Sequence, residues 1–191
     1  MSSEQPDQIQ LENGSLLVAE PFMLDPNFKR AVVLIVDYSP TDGSIGFILN
    51  RSTPLKLSEL IEDIEDFDAP VFYGGPVAEN TLHFLHNVGS LIEESVKIAP
   101  GVYWGGHFDS LKFLINQKLI QLENIRFFMG YSGWDSVQLQ QEINEPSWFI
   151  DQIDPNYIFK SKPEHLWKEI LEKKGDHYSA ISQMDGDYIF N

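Results

Sequence analysis

The stretch that decides the fold is residues 31–51, with the sequence AVVLIVDYSPTDGSIGFILNR. It contains two apolar runs, at residues 31–36 and 45–49, and the first is rich in the β-branched residues that favour strands. Between them, residues 39–43 have the sequence Ser-Pro-Thr-Asp-Gly, and an Asp-Gly pair is typical of the turn in a β-hairpin. The stretch therefore predicts a hairpin of two apolar strands.

Short apolar runs on both sides of this hairpin predict further strands. Before the hairpin, Asp25 followed by Pro26 indicates a cap and one helical turn. Glycine and proline between the later runs fit turns that connect neighbouring strands. The predicted strands outside the hairpin are residues 15–19, 71–73, 82–88, 95–99, 102–104, 125–129 and 148–150.

Three segments have the features of longer helices. Residues 107–118 and 163–174 place apolar side chains at helical spacing, and Gly175 follows the second segment as a stop. Asp135 with Gln138 three residues later fits a capping box, which predicts the start of a third helix. The residues expected to pack inward from that helix are Val137, Leu139 and Ile143.

Strands dominate the first half of the chain, whereas strands and helices alternate in the second half. A short helix is also expected in the first half, capped by Ser58 and running through Ile64. This mixture favours the α+β class over a regular doubly wound sheet. With 191 residues and no low-complexity linker, the chain is expected to form one domain over residues 11–175, with tails at 1–10 and 176–191.

The composition excludes several kinds of site. The chain has no cysteine, so it forms no disulfide, thiolate zinc site or iron–sulfur cluster. The N-terminus has no apolar run like that of a signal peptide, and no stretch approaches the roughly 20 apolar residues needed to cross a bilayer. We therefore expect a cytoplasmic protein that does not contact a membrane.

The charge argues against nucleic acid as a direct partner. The chain has 13 Lys and Arg residues against 29 Asp and Glu, which gives a formal net charge of −16. Affinity for phosphate backbones and anionic lipids comes largely from Lys and Arg, so this surface repels both. The densest basic stretch, residues 160–174, also contains three glutamates and fits the mixed, solvated face of a helix. Direct nucleic-acid binding is therefore not expected.

A series of short motifs occurs in a fixed order along the chain. They are GSLLVA at residues 14–19, residues 21–28 with Met23, Asp25 and Pro26, GSIGFILNR at 43–51, YGGPV at 73–77, FLH at 84–86, GYSGW at 130–134, Gln138-Leu139, Glu142 and Trp148. In this combination the chain resembles the YqgE/AlgH family, over about residues 14–167.

The resemblance implies a mixed β-sheet that is strongly bent and partly split, flanked by helices. It implies no particular chemistry, because the family is largely uncharacterised and some members carry only the label of transcriptional regulator. The segment after Lys174 fits the family pattern less well, so the resemblance assigns no role to it.

Residues 130–134, Gly-Tyr-Ser-Gly-Trp, invite comparison with the nucleophile elbow that exposes a catalytic serine. That turn needs a small residue two positions before and two positions after the serine. Gly130 meets this need before Ser132, but Trp134 does not meet it afterwards. The sequence therefore predicts a tight strand-to-helix turn here and identifies no catalytic residue.

Two other motifs have ordinary structural explanations. Gly74-Gly75-Pro76 lacks the spacing of a nucleotide-binding fingerprint and predicts a turn between strands. His83 and His86 are three apart in a predicted strand, where they face opposite sides and cannot readily share a metal ion. We therefore expect neither a metal nor a cofactor.

Arg51 closes an apolar strand, where a guanidinium can bind a carboxylate or a phosphate. Glycine, polar and aromatic residues at other strand ends can complete such a cleft. The sequence favours a binding or regulatory module for a small anionic ligand or a protein partner, with a hydrolase as the alternative and a regulator without strong DNA binding third. The oligomeric state stays open. The candidate ligand-binding residues are Asn50, Arg51, Gly74, Gly75, Trp104, Arg126 and Trp134.

Overall fold

The computed structural model describes residues 10–64, 66–145, 147–175, 178 and 180. The two predicted tails lie outside these residues, except at Gln10, Tyr178 and Ala180. The described residues form ten strands, four α-helices and two short 3-10 helices.

The hairpin predicted from residues 31–51 is confirmed. Strand β2 (Val32–Ser39) pairs antiparallel with β3 (Gly43–Ile48), and a bulge bends β2 before the turn. Strand β1 (Ser15–Ala19) pairs antiparallel with the other edge of β2. All five residues of β1 are buried, because hydrophobic clusters cover both faces of this part of the sheet.

Seven further strands follow: β4 (Ser52–Lys56), β5 (Pro70–Tyr73), β6 (Val77–His86), β7 (Val96–Ala99), β8 (Val102–Trp104), β9 (Ile125–Trp134) and β10 (Trp148–Gln152). They extend the sheet in the order β10-β1-β2-β3-β9-β6-β8-β7, and β4 and β5 branch from β9. The C-terminal half of β9 pairs with β3, whereas its N-terminal half pairs with β5 and β6. The sheet therefore curls into a half-barrel, which confirms the predicted bent and partly split sheet of the α+β class.

Helices cover both faces of this sheet. They are α1 (Phe108–Asn116), α2 (Ser136–Asn144), α3 (Pro155–Phe159) and α4 (Pro163–Lys173). We call the face under α3 and α4 the inner face and the opposite face the outer face. One hydrophobic cluster fills the inner face, and two separate clusters fill the outer face, one under α1 and one under α2.

One local prediction in the first half is wrong and another is confirmed. Ser58 does not cap a helix; it lies within a 3-10 helix (Leu57–Glu59), whose Lys56 N–H donates to the Glu59 carboxylate at 2.7 Å. The single turn predicted after Asp25 is present, because the Asp25 side chain accepts from the Asn27 N–H at 2.8 Å and the Asp25 carbonyl accepts from the Lys29 N–H at 2.8 Å.

The predicted turn at residues 130–134 is also wrong, because β9 continues through Trp134. Gly130 has a φ of +66°, so it shifts the alternation of side chains without ending the strand. Val137 is 64% exposed, although Leu139 packs inward as predicted. Helix α3 was missed, although its Asp-Pro start at residues 154–155 is a cap followed by proline at the first helical position.

Candidate functional site

Rings from five strands, β3, β5, β6, β8 and β9, form a continuous layer on the inner face, which we call the aromatic layer. Strand pairing assembles it: Leu85 of β6 lies opposite Trp104 of β8 on one side and opposite Arg126 of β9 on the other. His83 lies opposite Phe128 in the same pair of strands. The aromatic layer consists of Phe47, Phe72, His83, Trp104, Phe128 and Tyr131, with Arg126 at its edge.

Phe47 is the centre of the aromatic layer. Its ring centroid lies 5.2 Å from Phe128, 5.2 Å from His83 and 6.1 Å from Trp104. These separations are typical of aromatic pairs in protein interiors. Phe47 and Phe128 are fully buried, whereas His83 and Trp104 are partly exposed. The layer therefore has a buried floor and a rim that solvent reaches.

Arg126 has an uncommon environment. Its guanidinium carbon lies 4.6 Å from the centre of the Phe72 ring, and the residue is partly exposed. Its Nη1 atom is buried and has no hydrogen-bond partner. Burial lowers the pKa of Arg126 from its usual value to about 10. Arg126 forms no ion pair with any residue that the structure describes, so the ring face of Phe72 is its main compensation for lost solvation.

His83 is a neutral neighbour of this arginine. Its Nε2 lies 2.9 Å from the Thr81 hydroxyl, and that hydroxyl donates its own hydrogen to the Ala78 carbonyl at 2.7 Å. Nε2 must therefore be the donor to Thr81, which assigns the tautomer. Burial lowers the pKa of His83, so the ring is uncharged near neutral pH. His83 and Arg126 are diagonal neighbours across β6 and β9, with an expected Cα separation of roughly 7–8 Å.

Asn50 and Arg51 fix the loop between β1 and β2. The Asn50 side chain accepts from the Val32 N–H at 2.9 Å and donates to the Arg30 carbonyl at 2.8 Å. The Arg51 guanidinium donates to the carbonyls of Asn27 at 2.5 Å and Lys29 at 3.3 Å. These two residues therefore hold the backbone of residues 27–32.

Gly74 and Gly75 allow the close approach of two backbones. A Cβ at Gly74 would lie 2.3 Å from the Gly130 carbonyl oxygen, and a Cβ at Gly75 would lie 2.4 Å from the Ser132 nitrogen. The Gly74 N–H already donates to the Met129 carbonyl at 2.8 Å. The Ser132 hydroxyl is fully buried and donates to the Gly74 carbonyl at 3.1 Å. The predicted turn between strands is confirmed, and its glycines are packed against β9.

Trp134 belongs to the outer face under α2. Its indole N–H donates to Glu142 Oε2 at 2.9 Å, and the indole of Trp148 donates to the same oxygen at 2.8 Å. Gln138 donates to the other oxygen of this carboxylate at 2.9 Å. Phe28 lies against both indoles, with ring centroids 5.5 and 5.4 Å away.

Of the seven candidate residues, Trp104 and Arg126 lie in and beside the aromatic layer, on the two strands that flank Leu85 of β6. Asn50 and Arg51 are bound to a loop backbone, Gly74 and Gly75 are packed on β9, and Trp134 lies on the opposite face. His83 and Phe72 were missed as neighbours of this site. The available signal was the alternation of side chains along β6 and β9. It places His83 and Leu85 of β6 on the same face of the sheet as Arg126 and Phe128 of β9.

His86 faces the outer side and does not form a catalytic pair with Ser95. Its Nε2 lies 2.9 Å from the Gly105 carbonyl and 3.1 Å from the Ser95 hydroxyl. A carbonyl can only accept, so Nε2 carries the hydrogen and cannot take a proton from Ser95. Its Nδ1 is buried without a partner, and burial lowers the pKa of His86 while the Gly105 carbonyl opposes this shift.

The chain is similar to proteins of one family over most of its length. A family model described as AlgH-like, DUF179, matches residues 16–179. The chain belongs to the AlgH-like family. Membership confirms the resemblance inferred from the order of the motifs, and the matched residues run from β1 to beyond α4.

Relatives of this AlgH-like chain come from several bacteria. A UPF0301 protein of Chlorobium luteolum is 40% identical over 172 residues, which cover 90% of each chain. A UPF0301 protein of Cytophaga hutchinsonii is 39% identical over 182 residues, which cover 95% of this chain and all of the relative. These names assign no activity.

Solved structures share the fold. The solution structure of the AlgH protein from Pseudomonas aeruginosa is 25% identical, has a TM-score of 0.71, and covers 97% of this chain and 99% of that one. A crystal structure of a Corynebacterium diphtheriae protein is 18% identical, with a TM-score of 0.79 over 94% of this chain and 95% of that one. At 18% identity, the similarity to the Corynebacterium diphtheriae protein concerns the fold alone.

Two kinds of feature are absent from the described part of the chain. No helix there is long and apolar enough to cross a membrane. No three histidine, aspartate or glutamate side chains there gather closely enough to hold a metal ion.

Proposed function

We propose that this AlgH-like protein is a non-enzymatic binding module whose ligand presents a carboxylate or phosphate group to Arg126. The observation that carries the proposal is the buried Nη1 of Arg126, which has no acceptor in the described structure. The partly exposed Trp104 and His83 supply the rim of the site. The ligand therefore combines an anionic group with a flat or apolar body that contacts rings.

A buried cation without an ion-pair partner, such as the Arg126 guanidinium, is energetically costly. Buried charges in proteins are normally paired, because the loss of hydration is otherwise uncompensated. A guanidinium presents a planar fork of N–H donors that matches a carboxylate or phosphate in a bidentate geometry. An anion bound at the exposed part of this partly exposed residue would compensate the guanidinium charge and raise the pKa that burial lowers.

The strongly acidic surface does not prevent this binding. The net charge of −16 repels anions at long range, but the Debye length at physiological ionic strength is about 8 Å. Beyond that distance the repulsion is largely screened, whereas Arg126 acts at contact. The net charge thus slows association more than it weakens the bound state.

A binding role is better supported than a hydrolase. Ser132 is buried with its hydroxyl donated to a carbonyl, and Ser95 faces a histidine nitrogen that is already protonated. We also propose that the protein is cytoplasmic and has a regulatory role. A regulator of this composition acts through its ligand or a protein partner, because duplex DNA would meet few cations on its surface.

The test is a thermal-shift titration with defined probes at constant ionic strength. Inorganic phosphate represents the phosphate arm, benzoate represents the carboxylate arm, and benzamide is the neutral control for benzoate. A probe at about ten times its Kd adds about 1.4 kcal/mol to the unfolding free energy. For a chain of this length this corresponds to an increase in Tm of about 3–6 °C.

We expect benzoate or phosphate to raise the Tm of the wild type and to leave Arg126→Met unchanged. The matched control is Arg51→Met, which removes an arginine held by backbone carbonyls and retains the response to the probe. Equal shifts with benzoate and benzamide would overturn the anionic requirement. A response that survives in Arg126→Met, or no response to either anion, would overturn the assignment of Arg126.

A further inference from the structure

We infer that an apolar cleft beside the loop between β1 and β2 binds a positively charged, apolar segment of a partner protein. The cleft lies on the side of the molecule that carries α2, and its volume is ≈ 510 Å³. This volume falls within the range of about 300–1,000 Å³ that is usual for binding sites. The residues that matter for recognition are Glu20, Phe22, Leu24, Asp25, Phe28 and Glu142.

Two large apolar side chains are exposed at this cleft. Phe22 is 58% exposed and Leu24 is 75% exposed, although they are neighbours in a loop that also supplies buried packing. Exposed apolar side chains that lie together in a concave region are typical of a protein-interaction site. Burial of a phenylalanine or leucine side chain on binding contributes to affinity through the hydrophobic effect.

The loop that presents them is held in place by side chains from elsewhere. Asp25 accepts from the Asn27 N–H at 2.8 Å, Asn50 donates to the Arg30 carbonyl at 2.8 Å, and Arg51 donates to the Asn27 and Lys29 carbonyls. The loop is therefore preorganised, so binding orders little additional backbone. This gives Asn50 and Arg51 a role as positioning residues for the cleft.

One wall of the cleft contains the carboxylate of Glu142, which is held in place by hydrogen bonds. Glu142 accepts from both Trp134 and Trp148 at one oxygen and from Gln138 at the other. Phe28 packs on both indoles, so the rings and the carboxylate form one rigid wall. A carboxylate held in this way can receive a lysine or arginine of a partner without reorganisation.

The charges that line the cleft have one sign. Glu20, Asp25 and Glu142 line it, and the described lining residues include no lysine or arginine. Burial raises the pKa of Glu20, against the opposing effect of Lys174, which itself lies 3.6 Å from Asp151. A cationic side chain bound in the cleft would reduce the repulsion between these carboxylates. The net charge of −16 would also steer a basic partner toward the protein.

The inference is tested with three synthetic twelve-residue peptides. The first alternates pairs of lysine and leucine, the second replaces each lysine by glutamate, and the third replaces each leucine by serine. The indole N–H resonances of the four tryptophans serve as reporters in NMR titrations. Trp134 and Trp148 lie beside the cleft, whereas Trp104 lies in the aromatic layer and Trp167 donates to the Ala19 carbonyl in the inner core.

We expect the Lys-Leu peptide to shift the indoles of Trp134 and Trp148 and to leave those of Trp104 and Trp167 in place. The double variant Phe22→Ser/Leu24→Ser should weaken binding at least about tenfold, which corresponds to 1.4 kcal/mol. The matched control, Phe113→Ser/Leu119→Ser, removes two side chains that are 62% and 57% exposed elsewhere and should change the affinity less than twofold.

Several results would overturn the inference. If the third peptide, with serine in place of leucine, binds as tightly as the Lys-Leu peptide, recognition depends on charge alone. If the second peptide, with glutamate in place of lysine, binds as tightly, the carboxylates of the cleft do not contribute to recognition. Shifts of all four indoles, or equal weakening by the two double variants, would show that binding is not at the cleft. A dimer in sedimentation that Phe22→Ser/Leu24→Ser abolishes would assign the cleft to a second copy of this chain.

Discussion

Replacing Arg126 by methionine should stabilise the protein in the absence of ligand. Burial lowers the pKa of this guanidinium from its usual value to about 10. Because one pKa unit corresponds to about 1.36 kcal/mol, keeping the charge at this position costs on the order of 3 kcal/mol. Methionine has no charge to desolvate and leaves no buried donor without an acceptor.

Part of this gain is offset by the loss of the contact between Arg126 and Phe72. A cation over a partly desolvated ring contributes about 1–2 kcal/mol, and a methionine sulfur near the same ring returns part of it. The net stabilisation is therefore about 1–2 kcal/mol. For a chain of this length the Tm should rise by about 2–8 °C.

The assay is calorimetric unfolding in a Tris chloride buffer that contains no phosphate or carboxylate. Arg51→Met is the matched control and should lower the Tm, because it removes the donors to the Asn27 and Lys29 carbonyls. A lower Tm for Arg126→Met than for the wild type would refute the reasoning. It would mean that Arg126 is a structural residue whose charge is already compensated.

Three further predictions concern other residues. Burial lowers the pKa of His86 in the folded state, so below about pH 6.5 the unfolded state binds a proton at this residue more readily than the folded state does. The contribution of His86 to the unfolding free energy is therefore full above about pH 6.5. It decreases as the pH falls further, by up to about 1.4 kcal/mol per pH unit. His86→Gln should remove this part of the slope in urea unfolding between pH 7.5 and 5.5, and an unchanged slope would contradict it. Gly75→Ala should cost about 3 kcal/mol or more because its Cβ would meet the Ser132 backbone, whereas Gly105→Ala has open space and should cost about 1–2 kcal/mol. Asn50→Ala should cost about 1–3 kcal/mol in urea unfolding, and equal stability of the variant would show that its two backbone hydrogen bonds are dispensable.

The strands and the longer helices could be predicted from the sequence because their signals are local. The β-branched run at residues 31–36, the Asp-Gly turn and the N-cap at Asp135 all act within a few residues, although Gln138 donates to Glu142 and does not complete the predicted capping box. Residues 130–134 misled the prediction because two glycines and a serine resemble a turn. They are extended because β3 supplies partners for Ser132, Gly133 and Trp134, which local composition does not encode.

The candidate site depended on contacts that no spacing reveals. Arg51 and Arg126 look alike in the sequence, since each adjoins a predicted strand. Arg51 meets two carbonyls of a loop more than 20 residues away, whereas Arg126 meets a ring and no acceptor. Trp104 and Trp134 also looked alike, but the φ of +66° at Gly130 changes which face the end of β9 presents. This irregularity places Trp134 on the outer face, so the positions of strand ends in the sequence did not identify the candidate site.

The most direct test of the anion site is an NMR titration of the arginine side chains. The Nε–H resonance of Arg126 is identified by its loss in Arg126→Met, and benzoate and inorganic phosphate are then added to the wild type. We predict a saturable shift of this resonance with at least one of the two anions, while the resonance of Arg51 stays in place. An Arg126 resonance that does not move with either anion at millimolar concentrations, or that moves together with Arg51, would contradict the proposed site.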